Sequence, residues 1–383
     1  MKFETEIEHY QSDAFGFGIE AEYLLADKQT FTALSHHELR FATLNKALEG
    51  IDLSNVPHLD GLLPDIPHSK NMPFIVEGYH VHDANNQAFD ILPKGIEIRT
   101  PKAQSIKECL SYLESLYSGM QSALDSIGYR AVALSYHPTA QSFDGPREHR
   151  DYNFWLWAKQ AMTTYGPDIN ISLPHEITSK IDLEDLSAKV NYYAPALTAL
   201  SLASPFFEGN LWKPNPHSVH YGKAIRTYKR SAVAPAFKIH PKLGWRFEFK
   251  PFEMSWRLED FHAYFLLWLE LLLDDTLPGR TDQAGRIAQL ESVAQFGLSD
   301  HAIARTADEV LHAAARNLPH WGFSVEALNA MANRLANHIT PADEIVEMYL
   351  EKQSIPLVLK ELSQLVLPRK TSPILDAAVL ELA

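Results

Sequence analysis

Four short stretches of this 383-residue chain set carboxylates and cations at alternate positions, a spacing that places them side by side on one face of a strand. In "FGFGIEAEYLL" (15–25), Phe15, Phe17, Ile19, Ala21 and Tyr23 alternate with Glu20 and Glu22. In "ILPKGIEIRT" (91–100), Ile96 and Ile98 alternate with Glu97 and Arg99. In "GPDINISL" (166–173), Ile169, Ile171 and Leu173 alternate with Asp168, Asn170 and Ser172. In "GWRFEFKPF" (244–252), Trp245, Phe247 and Phe249 alternate with Arg246, Glu248 and Lys250.

The ordinary explanation of such alternation is the wet outer face of an antiparallel sheet. These faces, however, lack the Thr, Lys and Gln mixture that usually covers one. They concentrate carboxylates with interleaved Arg and Lys, and like charges so placed repel unless something neutralises them. A hard divalent cation does that, and Mg²⁺ in particular takes a few carboxylates together with waters and substrate phosphates. Arg offers a bidentate fork to phosphate and Lys a point charge. The combination points to phosphoryl transfer, in which a protein chiefly positions groups and offsets charge.

Composition narrows the classes further. Hydrophobic residues make up 46% and charged residues 21%, the mix of a globular protein. A formal net charge of −14 makes nucleic acid a poor partner for the chain as a whole. The lone Cys109 sits in an apolar helical pattern and supports neither a disulfide framework nor a thiolate cluster. The opening residues have no apolar core of a signal peptide, and "AYFLLWLELLL" (263–273) is too short to span a bilayer and carries Glu270. The expected setting is the cytoplasm, without membrane association. "YHVHD" (79–83) places His80 and His82 on one strand face, a chance-prone candidate zinc pair in a chain with 18 histidines. "FGFG" (15–18) opens a strand and makes no dinucleotide fingerprint, and no G-x-S-x-G elbow is found.

The elements that must hold these faces are a mixture of strands and helices without regular alternation. Period-two segments are expected at 15–25, 73–82, 91–100, 129–136, 166–173 and 244–252. Helices are expected over 105–127, with Gly128 as its C-terminal stop, and over 149–163, 183–203 and 257–275. Beyond "LPGR" (277–280) the pattern turns almost wholly helical, punctuated by Pro341 and Pro356. The reading is an α+β body over 1–278 and a helical C-terminal region over 279–383, whose tail "SPILDAAVLELA" packs on the body or on a second subunit.

The ordered set "FGFGIEAEYLL", "GIEIRTPKAQSIKECLSYL", "ALSYHP", "YNFWLWAKQAMTTYGPDINISLP", "APALTALSLASPFFEG" and "GWRFEFKPFEMSWRLEDFHAYF" resembles the glutamate–cysteine ligase-like carboxylate–amine ligases, over about residues 15–275. That family is similar in its catalytic sheet to glutamine synthetase and the guanidino kinases. The resemblance implies a curved antiparallel sheet forming an open funnel, flanked by helices, that binds ATP and Mg²⁺. It also implies the reaction: ATP phosphorylates a carboxylate, and an amine attacks the acyl phosphate to give an amide, as in a γ-glutamyl bond. The implied metal ligands are Glu20, Glu22, Glu97, Asp168, Asn170 and Glu248. Arg99, Lys250 and Arg226 (or Arg230, from "KAIRTYKR") would act on the transferring group, with Arg99, Asn170, Ser172, Arg246 and Lys250 toward the nucleotide. The 205–231 segment, rich in Pro, Gly and His, is a candidate mobile cover that excludes water.

Two departures stand out. The family commonly has His-x-His where this chain has Asp168-x-Asn170, and Glu-x-Arg where it has Glu248-x-Lys250. The second keeps the charge and loses the fork. Small-molecule acid and amine substrates, glutamate and cysteine among the candidates, and a homodimer are compatible with this reading. A metal-dependent hydrolase on the same sheet and a non-catalytic nucleotide-binding relative are the competing classes.

Overall fold

The computed structural model describes residues 14–59, 62, 73–140, 142–147, 149–230 and 235–366; the side chains of Arg230 and Lys242, and the tail "SPILDAAVLELA", lie outside the described residues. The strands are β1 (Gly16–Asp27), β2 (Phe74–His82), β3 (Ala88–Arg99), β4 (Tyr129–Val132), β5 (Pro167–Ser172), β6 (Phe206–Phe207), β7 (Asn210–Leu211), β8 (Phe237–His240) and β9 (Arg246–Phe249). The helices are α1 (Phe41–Glu49), α2 (Ile106–Ser126), α3 (Tyr152–Ala161), α4 (His175–Thr178), α5 (Leu183–Ala199), α6 (Ile225–Arg230), α7 (Leu258–Leu273), α8 (Gln283–Phe296), α9 (His301–Asn317), α10 (Leu328–Asn337), α11 (Pro341–Lys352) and α12 (Ile355–Leu362).

Seven strands form one curved antiparallel sheet in the order β2-β3-β1-β5-β9-β8, with β4 pairing the far end of β1. The expected α+β class and curved sheet are therefore present. The 129–136 and 244–252 stretches supply only four strand residues each: past β4, Ala133 N donates to Leu362 O outside the sheet, and β9 starts only after Gly244 and Trp245, both at positive φ.

Helix boundaries follow local chemistry. Ser105 accepts from Glu108 N at 3.1 Å, and Glu108 accepts from Gln104 N at 2.7 Å, so a reciprocal cap opens α2. Gly128, with φ +83°, follows the end of that helix. Asp151, Asp182, Asp282 and Asp300 cap α3, α5, α8 and α9. Pro341 opens α11 and Pro356 lies in the first turn of α12.

The apolar sheet face packs against α2 and α7. Helix α7 is buried on nearly every side, since α9 and α10 cover the flank that the sheet leaves. Trp268 on α7 lies 4.9 Å from the Phe249 ring and donates from Nε1 to Phe247 O at 3.2 Å. The main apolar core draws on residues from Phe17 to Leu362, beside two smaller clusters around Phe143 and around Tyr136 and Trp212. Among the described residues no helix is long and apolar enough to cross a membrane.

The 205–231 segment is not a plain loop. It contains the β6–β7 hairpin and α6, and Lys223 N and Ala224 N both donate to Ala294 O on α8.

Candidate active site

Antiparallel register decides which side chains share a face, because residues paired across a ladder project to the same side. β1 pairs Glu20 with Arg99 and Glu22 with Glu97 on β3, and Glu20 with Asp168 on β5. β5 pairs Asn170 with Glu248 and Ser172 with Arg246 on β9. All six expected acidic or amide ligands thus stand on one face, together with Arg99, Arg246, Lys250 and Ser172. Gly16 and Gly18 continue that face without side chains. The Lys102 stem covers Gly16, where an added Cβ would lie 2.2 Å from Lys102 Cε.

The carboxylates fall into two trios. Glu20, Asp168 and Glu248 each offer an oxygen, all within 4.8 Å of one another, and Glu22, Glu77 and Glu97 do the same. Glu20 and Glu22 are two residues apart on one strand, so the trios stand roughly 7 Å apart along it.

Cations are wedged into both. In the first trio the Lys250 ammonium contacts Asp168 and Glu248, while Arg246 donates to Glu20 Oε1 at 3.0 Å. His240, on the edge strand β8, adds an imidazole to Glu248. Burial, with Glu248 and Glu20 nearby, raises Asp168 to about 7 against the pull of Lys250. Burial works against ionised Glu248 too, but contact with Lys250 and His240 overcomes it and holds that carboxyl below its ordinary range. Lys250 itself is raised: burial is outweighed by its two carboxylate partners.

In the second trio Lys94 Nζ donates to Glu22 Oε1 at 2.8 Å and to Thr164 O at 2.9 Å, and Gly166 N donates to Glu22 Oε2 at 3.0 Å. Arg99 Nε stands 4.0 Å from Glu97 Oε1. Burial first, then Glu77, Glu20 and Glu22, push Glu97 well above the usual carboxylate range.

The donor set fits divalent cations. Around six-coordinate Mg²⁺ adjacent oxygens are about 3 Å and opposite ones about 4.2 Å apart, so each trio needs only a small contraction. The carbonyl oxygen of buried Asn170 has no hydrogen-bond partner among the described residues, and its amide donates to Glu20 Oε1 at 3.4 Å. A buried oxygen without a donor is costly, and a cation beside it removes the cost.

Sequence patterning misses three residues here. Lys94 is the extra residue of a bulge, since β2 pairs Glu77 with Gly95 and Gly78 with Pro93. By strict alternation Lys94 would share the apolar face with Ile96 and Ile98; the bulge re-aims it. Glu77 lies in the expected strand 73–82, but nothing in that stretch alone says which face meets Glu97. His240 sits on a strand of four residues, too short for a readable period.

Arg226 is placed differently from the other expected cations. It is 3% exposed, and its guanidinium donates to the carbonyls of Lys250, Pro251 and Phe252 while packing on Gly166. It braces the chain leaving β9. The His80 and His82 rings lie 6.4 Å apart, and Arg150 NH1 stands 2.9 and 2.7 Å from the two ring nitrogens of His82. A guanidinium thus lies against the His82 ring. Cys109 is fully buried beside Thr100 Oγ1 at 3.4 Å, and burial pushes its thiol up to about 12.

A curled antiparallel half-barrel, helices on its apolar face and cation-laced carboxylates on the other, is the catalytic-sheet scaffold of the carboxylate–amine ligases. Residues 16–218 match the family model described as glutamate-cysteine ligase family 2 (GCS2), and the chain belongs to that family. A curated protein of Jannaschia sp. (strain CCS1), named by inference as glutamate–cysteine ligase 2, is 26% identical over 206 residues, 52% of this chain and 44% of that protein. The match thus spans less than half of that relative's length. Among solved structures, a bifunctional glutathione synthetase from Pasteurella multocida aligns with a TM-score of 0.62 at 14% identity, covering 92% of this chain and 52% of that one. The glutamate–cysteine ligase of Francisella tularensis, solved in complex with AMP, aligns with a TM-score of 0.59 at 14% identity, covering 92% and 89%. At such identities these structures establish the shared fold.

Proposed function

We propose that this chain is an ATP-dependent carboxylate–amine ligase that joins a small acid of the glutamate type to an amine through an acyl phosphate. The observation that carries the reading is the pair of carboxylate trios on one sheet face, each with a lysine ammonium among its oxygens, in a chain of this family.

In this reading Glu20, Asp168, Asn170 and Glu248 hold one Mg²⁺ and Glu22, Glu77 and Glu97 another. Bound there, the ions polarise phosphoryl oxygens and offset charge as the phosphoryl group moves. Arg99 and Lys250 orient the acceptor carboxylate and the transferring group. Arg246, Ser172 and Asn170 face the nucleotide. A carboxylate oxygen of the acid attacks the γ-phosphorus and ADP leaves; the neutral amine nitrogen then attacks the acyl carbon, the C–O bond to phosphate breaks, and the nitrogen's proton leaves with the phosphate. Arg226 has a positioning role, fixing the backbone from which Lys250 projects. The two-unit division at residue 278, with ligase residues in the first unit, belongs to the same proposal.

The test is ATP consumption by the whole chain across pairs of amino acids, with mass spectrometry of the products. A ligase releases phosphate only when both acid and amine are present, and yields a product whose mass is their sum less one water. Phosphoester or amide turnover without nucleotide would establish a hydrolase instead.

A further inference from the structure

Beside the acidic face, a cavity of about 290 Å³ opens between the 35–38 turn and residues 137–140 and 142–144. Its wall includes His36, His37, Asp144 and Lys94. Glu38 closes the turn, accepting from Ser35 N at 2.8 Å and from the Ser35 hydroxyl at 2.7 Å. The closed turn sets the two imidazoles side by side with centroids 4.1 Å apart. The Nε2 atoms of both rings lie close to one oxygen: Asp144 Oδ1 is 2.8 Å from that of His36 and 3.3 Å from that of His37.

The surroundings are built. Phe143 packs edge-on against His36 at 4.8 Å. His137 joins the two segments, with Nε2 at 3.2 Å from Leu34 O and Nδ1 accepting from Ala140 N at 3.0 Å.

We propose that His36, His37 and Asp144 form a site for a zinc-like transition-metal ion, separate from the two carboxylate trios. Two imidazoles and one carboxylate suit Zn²⁺ or Co²⁺ rather than Mg²⁺. With metal–ligand bonds of about 2.1 Å at tetrahedral angles, donor atoms stand roughly 3.3 Å apart. The His37–Asp144 spacing already meets this, and the His36–Asp144 spacing must widen by about half an ångström. Three protein ligands leave a fourth position, and the cavity provides room for it. Because Lys94 reaches Glu22 from the same wall, the ion would share a cavity with the end of the acidic face.

The whole chain, stripped with chelator and redialysed against Zn²⁺ with excess Mg²⁺ present to fill the oxygen sites, is expected to keep one equivalent of zinc. Co²⁺ in its place should show the strong visible absorption of a four-coordinate site. His36→Ala and Asp144→Asn should each weaken retention at least tenfold and remove that band, while Glu20→Gln keeps both. Asp144 is largely exposed, so its variant is expected to fold even where His36→Ala does not; far-UV circular dichroism checks both. No zinc kept by the wild-type chain, equal zinc in the Asp144→Asn chain, or loss on Glu20→Gln alone would each overturn the proposal.

Discussion

From the end of β9 the Lys250 ammonium spans Asp168 on the neighbouring strand and Glu248 on its own, so one side-chain charge serves two carboxylates. Lys250→Met removes that charge and leaves both oxygen pairs facing each other. Breaking a buried pair in this way costs about 3–5 kcal/mol, less where water reaches it. With Lys250 12% and Asp168 24% exposed, a loss of about 2–4 kcal/mol is expected in urea unfolding with chelator. Mg²⁺ should restore part of it, and a loss unaffected by Mg²⁺ would show that the trio holds no ion.

The raised Asp168 carboxyl has a definite pH signature. Its native value is about 7, against about 3.9 for the free side chain. Between these values the native chain keeps a proton that the unfolded chain has released, so stability is full below about pH 4 and falls as pH rises toward 7. The full shift corresponds to a ceiling of about 4 kcal/mol, reduced by solvent at a partly exposed group. Unfolding titrations from pH 4 to 8 in chelator should show this slope added to that of other raised carboxyls, among them Glu97, Glu253 and Glu270, and Asp168→Asn should remove its own share.

On the proposed ligase reading, removing a carboxylate from either trio stops amide formation more than it weakens the fold. Glu22→Gln and Glu248→Gln are each expected to lower turnover at least a hundredfold, on the order of 3 kcal/mol of transition-state stabilisation. Coupled ATP-consumption assays with the identified acid and amine provide the measurement. Near-wild-type rates in both variants would remove these residues from the site.

Gly166 owes its identity to Arg226, whose guanidinium lies 2.0 Å from the position of an added Cβ. Gly166→Ala must displace a buried guanidinium that holds three backbone carbonyls, at a cost of about 1–3 kcal/mol. Thermal unfolding should show this directly, and an unchanged midpoint would mean that Arg226 does not brace the β9 exit.

Much of the acidic face was legible because two regularities reinforce each other. Alternation puts Glu20 with Glu22, Glu97 with Arg99 and Glu248 with Lys250 on single strand faces, and antiparallel pairing then stacks those faces. What stayed hidden depends on breaks in regularity or on distant packing. Lys94 reaches Glu22 only through a bulge, and Arg226 turns inward because α6 is anchored against α8. His240 needed the pairing of two four-residue strands. For the chance-prone pair His80 and His82, strand spacing cannot reveal that Arg150, 68 residues away, lies against the His82 ring.

The burial of α7 from both sides has a practical bearing on how this enzyme family member is dissected. A fragment ending at Pro278 would present the solvent with the flank that α9 and α10 normally shield, a greasy stripe along a helix whose opposite edge supports the sheet floor. Such a piece would clump in solution rather than retain a weakened activity, so the C-terminal helices act as a lid on the foundation and must be kept in any expressible version.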